Sequence, residues 1–142
     1  STIESEYLMK IYPSDNLQAV NSVARKREQI VVPPFNLKGK NKAAVSDRWS
    51  PTVNCEIVAA FVTATSSGFA TAGFSILKNN IFEQNMVVGS ATLAATDTKS
   101  LFVMENPLKG LTFSPYDWIT IVSYNASGHT GIVVQLFAEK IN

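Results

Sequence analysis

Two apolar runs within residues 116–139 constrain the fold of this chain more than any other feature of its sequence. Residues 117–124 and 131–138 each have the length of a strand and are rich in β-branched and aromatic residues. The connector between them contains Asn, Ser and Gly, which are typical turn residues. This pattern predicts an antiparallel β-hairpin.

The two runs lack the alternation of apolar and polar residues that a half-exposed antiparallel strand shows. In the first run Ile119 and Ile121 share one face, while Trp118, Val122 and Tyr124 share the other. We therefore expect both faces to be covered, one by a second layer of the same domain and the other by a segment of the same chain or by a neighbouring subunit. The candidates for a contact between subunits are Phe102, Trp118, Tyr124 and Phe137.

The composition is that of one domain with a poorly charged surface. The chain has 142 residues, a net charge of +1 and 16% charged residues, against roughly 25% in an ordinary soluble domain. Its single cysteine, Cys55, excludes an intrachain disulfide and is predicted to be a small core residue. No apolar run approaches the roughly 18 residues of a membrane span, and the N-terminus lacks the features of a signal peptide. We therefore expect synthesis in a cytoplasm and no membrane partner.

Residues 1–51 differ from the rest of the chain. They hold eight basic and five acidic residues, a local charge of +3, whereas residues 52–142 hold four basic and six acidic residues. Four prolines interrupt the segment, so a short helix near residues 14–27 is the only regular element it favours. Residues 29–37 are extended and apolar, and such a strip is expected to lie along a surface of its own domain or of another molecule. We predict an irregular N-terminal arm over residues 1–51.

Residues 52–142 carry almost only strand signals. About eight apolar runs are separated by turn residues at roughly ten-residue spacing, among them residues 52–65, 69–78 and 81–88. This spacing predicts an all-β sandwich or barrel of antiparallel strands.

Two stretches resemble the strands of compact jelly rolls of the C1q and tumour-necrosis-factor type. They are Phe74-Ser75-Ile76-Leu77-Lys78-Asn79-Asn80 and Tyr116-Asp117-Trp118-Ile119-Thr120-Ile121, although Asn80 and Tyr116 stand where those proteins usually have glycine. That class includes the trimeric cement, or decoration, proteins and the fibre-tip domains of tailed bacteriophages. The resemblance implies a jelly-roll β-sandwich over residues 52–142, a homotrimer, and a place on the exterior of a capsid.

The sequence carries little sign of catalysis. His129 is the only histidine, and its Ser-Gly-His-Thr-Gly context predicts an exposed turn residue. The acidic residues are scattered without an adjacent pair, although a glycosidase dyad assembled from distant strands stays open. Glycine-rich phosphate loops and calcium-loop spacing are absent. We expect no enzymatic activity, no cofactor and no metal.

These observations favour a virion protein that decorates a capsid and binds the major capsid protein through its arm. The predicted capsid contacts are Arg25, Lys26, Arg27, Ile30, Val32, Phe35, Leu37, Lys38, Lys40 and Lys42. A nucleic-acid partner is disfavoured because the basic residues are few and aromatic residues do not interleave with them. Two alternatives remain: a fibre tip that recognises a host through Phe69, Tyr116 and Trp118, and a small jelly-roll coat protein that encloses a genome.

Overall fold

The computed structural model describes residues 27–37, 44–103 and 111–141. These ranges contain ten β-strands and no helix. In chain order the strands are β1 (Gln29–Ile30), β2 (Phe35–Asn36), β3 (Ala44–Val45), β4 (Cys55–Thr63), β5 (Ala72–Asn79), β6 (Met86–Leu93), β7 (Lys99–Val103), β8 (Thr112–Phe113), β9 (Trp118–Ser123) and β10 (Val133–Lys140).

The strands form two antiparallel sheets that pack face to face. Sheet I has the order β1-β10-β4-β7, with β2 also paired to β10 and β8 also paired to β4. Sheet II has the order β3-β9-β5-β6. The predicted all-β sandwich is confirmed. Its jelly-roll connectivity stays a prediction, and the alternation of β2, β3, β4 and β5 between the two sheets is consistent with it.

The predicted hairpin of residues 116–139 is wrong. Strand β9 pairs with β5 and β3 in sheet II, and β10 pairs with β4, β1 and β2 in sheet I. The connector between them crosses from one sheet to the other, so Ile119 and Ile121 pack in the same buried cluster as Val134 and Leu136. Two apolar strands that face each other across a core have the same sequence signature as two that pair side by side.

The described part of the predicted arm belongs to the sandwich. Strands β1 and β2 lie along β10, and β3 lies along β9, so this segment adds strands to both sheets. Val32, Phe35 and Leu37 are buried in the core cluster. Gln135 Nε2 donates a hydrogen bond of 2.6 Å to the Val32 carbonyl, which fixes the segment between β1 and β2.

Strand β6 begins later than predicted. The apolar run after Asn80 predicts a strand from residue 81, whereas the structure has a loop over residues 80–85 and a strand from Met86. The loop forms because the Asn80 side chain accepts hydrogen bonds from the backbone N–H groups of Phe82 and Glu83.

Cys55 lies at the start of β4 and is fully buried, as predicted for a small core residue. Burial, and secondarily the negative charge of Asp117, raises the pKa of the Cys55 thiol to about 11, from an ordinary value of 9.0. The folded protein therefore holds the thiol proton more tightly than the unfolded chain does.

This raised pKa predicts a loss of stability at alkaline pH. The contribution is complete below the unfolded-state pKa and disappears as the pH rises through the folded-state pKa. Between about pH 9 and about pH 11 the free energy of unfolding should therefore fall by about 2 kcal/mol more in the wild type than in Cys55→Ala. Urea denaturation of both proteins across this pH range measures the difference, and parallel pH profiles would contradict it.

Candidate interaction surfaces

The outer face of sheet I is built from the residues that alternate with the core positions of β10, β4 and β7. Two rows of cross-strand neighbours run across it: Phe137–Ala59–Val103 and Gln135–Phe61–Leu101. We call these six residues the sheet I face. Leu101 and Val103 are 59% and 69% exposed and Phe137 is 39% exposed, while Ala59 and Phe61 are half-buried.

The sheet I face carries no charged residue. Its one polar member, Gln135, directs its amide nitrogen to the backbone carbonyls of Val32 and Leu136. Lys99 stands in the next row, where it faces Thr63. Strand β7 is the edge strand on this side of sheet I. One of its edges pairs with β4, and within the described ranges the other pairs with no strand. An apolar face beside an unpaired edge is a surface that soluble proteins generally cover.

The four residues predicted at a subunit contact lie in three places. Phe137 belongs to the sheet I face. Phe102 points the other way along β7 and packs against the core, so it cannot contribute to an outer contact in this fold. Trp118 and Tyr124 lie on the outer face of sheet II, on the opposite side of the sandwich.

The outer face of sheet II is more polar and partly occupied. Arg48 stacks on the Trp118 ring at 5.2 Å from its centroid, and Tyr124 lies over Gly73, where a Cβ would collide with its ring. Ser90 and Thr92 are the outward positions of the edge strand β6. This face therefore differs in chemistry from the sheet I face.

Leu101 and Val103 are the exposed residues of the sheet I face that sequence reasoning missed. The run 99–103 is apolar at three successive positions, and Phe102 attracts attention as its largest side chain. Lys99 and Ser100 are the only polar residues of this run, and they do not show whether its odd-numbered or its even-numbered residues face the core. The register of β7 on β4 decides it, because Phe102 pairs with the buried Ala60.

The structure corrects several predicted capsid contacts. Val32, Phe35 and Leu37 are core residues, and Ile30 is partly buried against the core, so none of them is free to bind another molecule in this fold. The extended apolar strip of the sequence lies on its own sandwich because β10 offers an unpaired edge to it. The remaining predicted contacts apart from Arg27 lie outside the described residues: Arg25, Lys26, Lys38, Lys40 and Lys42.

Arg27 has a partner within its own chain. Its Nη2 atom lies 2.8 Å from Glu56 Oε1 and 2.8 Å from Glu139 Oε1. The two glutamates are cross-strand neighbours on β4 and β10, and both are buried. The hydrogen bond to Glu56, together with the charges of both carboxylates, raises the pKa of the Arg27 guanidinium. Arg27 is therefore an internal counter-ion in this structure.

His129 is buried, and the prediction of an exposed turn residue is wrong. Its Nδ1 lies 2.7 Å from Ser127 Oγ, and its Nε2 lies 3.0 Å from the Ala94 carbonyl and 3.2 Å from the Asp97 carbonyl. Because carbonyls only accept hydrogen bonds, Nε2 carries a proton and donates it to the two carbonyls, while Nδ1 shares a hydrogen bond with the Ser127 hydroxyl. The histidine thus ties the 124–132 connector to the loop after β6. Both ring nitrogens are therefore engaged in hydrogen bonds within the fold.

A small cleft of about 180 Å³ opens where β5 ends and β9 begins, and its lining includes Lys78, Thr112, Phe113 and Asp117. The Lys78 ammonium donates a 2.8 Å hydrogen bond to the Thr112 carbonyl, lies 3.9 Å from Asp117 Oδ2 and stands 5.5 Å from the centre of the Phe113 ring. Its charge is therefore already compensated.

Within the described ranges no three His, Cys, Asp or Glu residues are grouped as metal ligands. In the same part of the chain, no helix is long and apolar enough to cross a membrane.

The fold and its surfaces define an all-β sandwich of two antiparallel sheets, one of which carries on its outer side an uncharged, mostly apolar patch, the sheet I face. No protein-family model matches the sequence, and no curated protein sequence matches it. The chain is similar to part of a solved structure described as "Structure of infectious bursal disease virus Gx strain", with 14% identity and a TM-score of 0.39. The similarity covers 81% of this chain and 30% of that chain.

Proposed function

We propose that this protein is a structural component of a virion: a capsid decoration, or cement, protein that forms a homotrimer and binds the major capsid protein on the outside of the shell. It would be made in the host cytoplasm and would need no cofactor and no catalytic activity. The proposal rests on the exposure and the lack of charge of the sheet I face. An uncharged apolar surface beside a strand edge that is unpaired within the described residues is suited to contact between copies of one chain.

The absence of charge on this face is what favours a second copy of the chain as its occupant. In a cyclic trimer the residues at the three-fold axis meet their own copies, so a charged residue placed there would be repelled by the same charge on the other two subunits. The apolar side chains of the sheet I face can pack against their copies on a neighbouring subunit without that penalty; the larger ones are Leu101, Val103, Phe61 and Phe137. The small Ala59 between Phe137 and Val103 leaves a shallow position into which a large side chain of the neighbour can pack.

The contact with the shell is assigned to the basic residues outside the described ranges. Arg25, Lys26, Lys38, Lys40 and Lys42 flank the segment that is docked on β10, and they would meet acidic residues of the major capsid protein. Binding of three subunits at symmetry-related positions would strengthen a weak individual contact. Arg27 and the buried apolar residues of the segment are left out of this contact because the sandwich already uses them.

A pair of lysines placed on the sheet I face tests the proposed contact. We expect Leu101→Lys/Val103→Lys to be monomeric at concentrations at which the wild type is trimeric, because each subunit then brings two charges into the interface. Light scattering coupled to size exclusion measures the masses, and circular dichroism checks that the variant is folded. The matched control is Ser90→Lys/Thr92→Lys, at the outward positions of β6, the edge strand of sheet II.

The outcomes separate the candidate functions. Loss of the trimer in the sheet I variant alone supports the proposal, whereas an unchanged trimer in that variant, or loss in the sheet II variant only, contradicts it. Particles of very high mass would instead indicate a coat protein that builds its own shell. The fibre-tip alternative is disfavoured because Phe69 and Tyr116 lie at opposite ends of the sandwich, while Trp118 is half-buried beneath Arg48.

A further inference from the structure

Three large side chains project from one end of the sandwich. Ile81 and Phe82 lie in the loop between β5 and β6 and are 82% and 91% exposed; Tyr116 lies in the turn before β9 and is 85% exposed. We call Ile81, Phe82 and Tyr116 the apical trio. Exposure of this degree means that the three side chains make little contact with their own chain, so folding does not explain their presence.

The first loop is held rigidly. The Asn80 side-chain oxygen accepts hydrogen bonds from the N–H groups of Phe82 (3.0 Å) and Glu83 (2.9 Å), and the Asn80 N–H donates to the Glu83 carbonyl (2.7 Å). The loop ends at Asn85, which has a φ of 60° and donates its N–H to the side chain of the buried Asn79 at 2.7 Å. Ile81 and Phe82 are thus presented by a loop with a fixed conformation.

The second loop is braced against the first. Asp117 Oδ2 accepts the Ser114 N–H at 2.7 Å, and the Tyr116 N–H donates to the Ser114 hydroxyl at 3.2 Å. Asn80 Nδ2 donates to Asp117 Oδ1 at 3.1 Å, so one hydrogen bond joins the two turns. The apical trio therefore stands on one preorganised platform, and little ordering entropy is lost when it binds.

The charge of this platform restricts what can bind it. Within residues 80–85 and 114–117, Glu83 is the only exposed charged side chain, because Asp117 is buried and hydrogen-bonded. A cation that would attract an anionic lipid or a nucleic acid is therefore missing from these two turns. Their other exposed residues, including Gln84, Asn85 and Pro115, are neutral.

We propose that the apical trio binds a zwitterionic lipid surface by inserting its side chains at the boundary between headgroups and acyl chains. Phe82 and Ile81 supply apolar area, and the Tyr116 ring can bury its body while its hydroxyl stays at headgroup level. Two turns with three exposed large side chains offer a smaller footprint than a standard protein interface needs, whereas a fluid bilayer accepts a small footprint of any shape. This peripheral contact goes beyond the proposed capsid role and departs from the expectation of no membrane partner, which rests on the lack of a spanning segment.

Co-sedimentation of the purified full chain with phosphatidylcholine vesicles tests the proposal. We expect weak, reversible binding that stays unchanged between about 0.1 M and about 0.5 M NaCl, because no ion pair contributes to it. The variant Ile81→Ser/Phe82→Ser/Tyr116→Ser should lose binding by at least about tenfold. The matched control is Phe69→Ser, since Phe69 is 77% exposed but lies at the opposite end of the sandwich.

Five results would overturn the proposal. They are no binding of the wild type, unchanged binding by the triple variant, binding that requires anionic lipid or falls steeply with salt, equal loss in Phe69→Ser, and a change in the solution mass of the triple variant, which would make the trio a contact between copies. Circular dichroism of both variants shows whether the fold is kept. A trimer that fails to bind vesicles refutes this inference and leaves the capsid proposal standing.

Discussion

Replacing Arg27 with methionine is expected to lower the free energy of unfolding by about 3 kcal/mol. The substitution leaves Glu56 and Glu139 facing each other on adjacent strands, with side chains only 4% and 7% exposed and without a counter-ion. Removing one partner of a buried ion pair usually costs about 3–5 kcal/mol. We expect the lower end, because the Arg27 side chain is itself 39% exposed and water can partly replace it.

Urea denaturation measures this loss, and two further variants identify its cause. The triple variant Arg27→Met/Glu56→Gln/Glu139→Gln should regain most of the stability, since no buried charge then lacks a partner. Arg48→Met is the matched control, and it should cost less than about 1 kcal/mol because, among the described residues, Arg48 stacks on an outer aromatic ring and pairs with no buried carboxylate. Equal costs for Arg27→Met and Arg48→Met would show that the glutamates do not depend on Arg27.

Truncation of Ile121 to alanine should destabilise the protein by about 4 kcal/mol. Ile121 is fully buried between the two sheets, and loss of three buried carbon atoms from such a site combines a transfer cost with a cavity cost. The neighbouring Val122→Ala is the matched control on the outer face of the same strand, where the residue is half-buried. It should cost less than about 1.5 kcal/mol.

The comparison of these two variants tests whether β9 has one buried face or two. Chemical denaturation of both variants at the same protein concentration gives two free energies that contain the same contribution from association, so their difference reports the two positions. Similar costs at the two positions would contradict the sandwich described here, because they would mean that the outer face of β9 is packed as tightly as its inner face.

The fold class and most strands were predictable because period, composition and turn residues are local signals. The pairing of the strands was not. The apolar residues of β9 and β10 suit a hairpin and a packed sandwich equally well. The connector between the two strands crosses from sheet II to sheet I, and this crossing places Ile121 and Leu136 in different sheets. Likewise, the apolar residues near Phe35 could cover their own sheet or another molecule. The unpaired edge of β10 that decides this exists only in the folded chain.

The polar residues were predicted least well. Arg27 resembles a surface cation in sequence, and its two partners lie 29 and 112 positions away along the chain. His129 stands among turn residues, which usually indicates exposure, but its ring fills a site bounded by Ser127 and the carbonyls of a distant loop. Such partners are brought together by topology, so no local pattern in the sequence marks them.

The solution mass of the wild-type protein, measured by light scattering over about a hundredfold range of concentration, tests whether the sheet I face joins copies of the chain. The proposed contact through the sheet I face predicts a stable mass near three times 15.5 kDa. A mass of 15.5 kDa at every concentration would contradict it, because Leu101, Val103 and Phe137 would then remain exposed without a second copy to cover them.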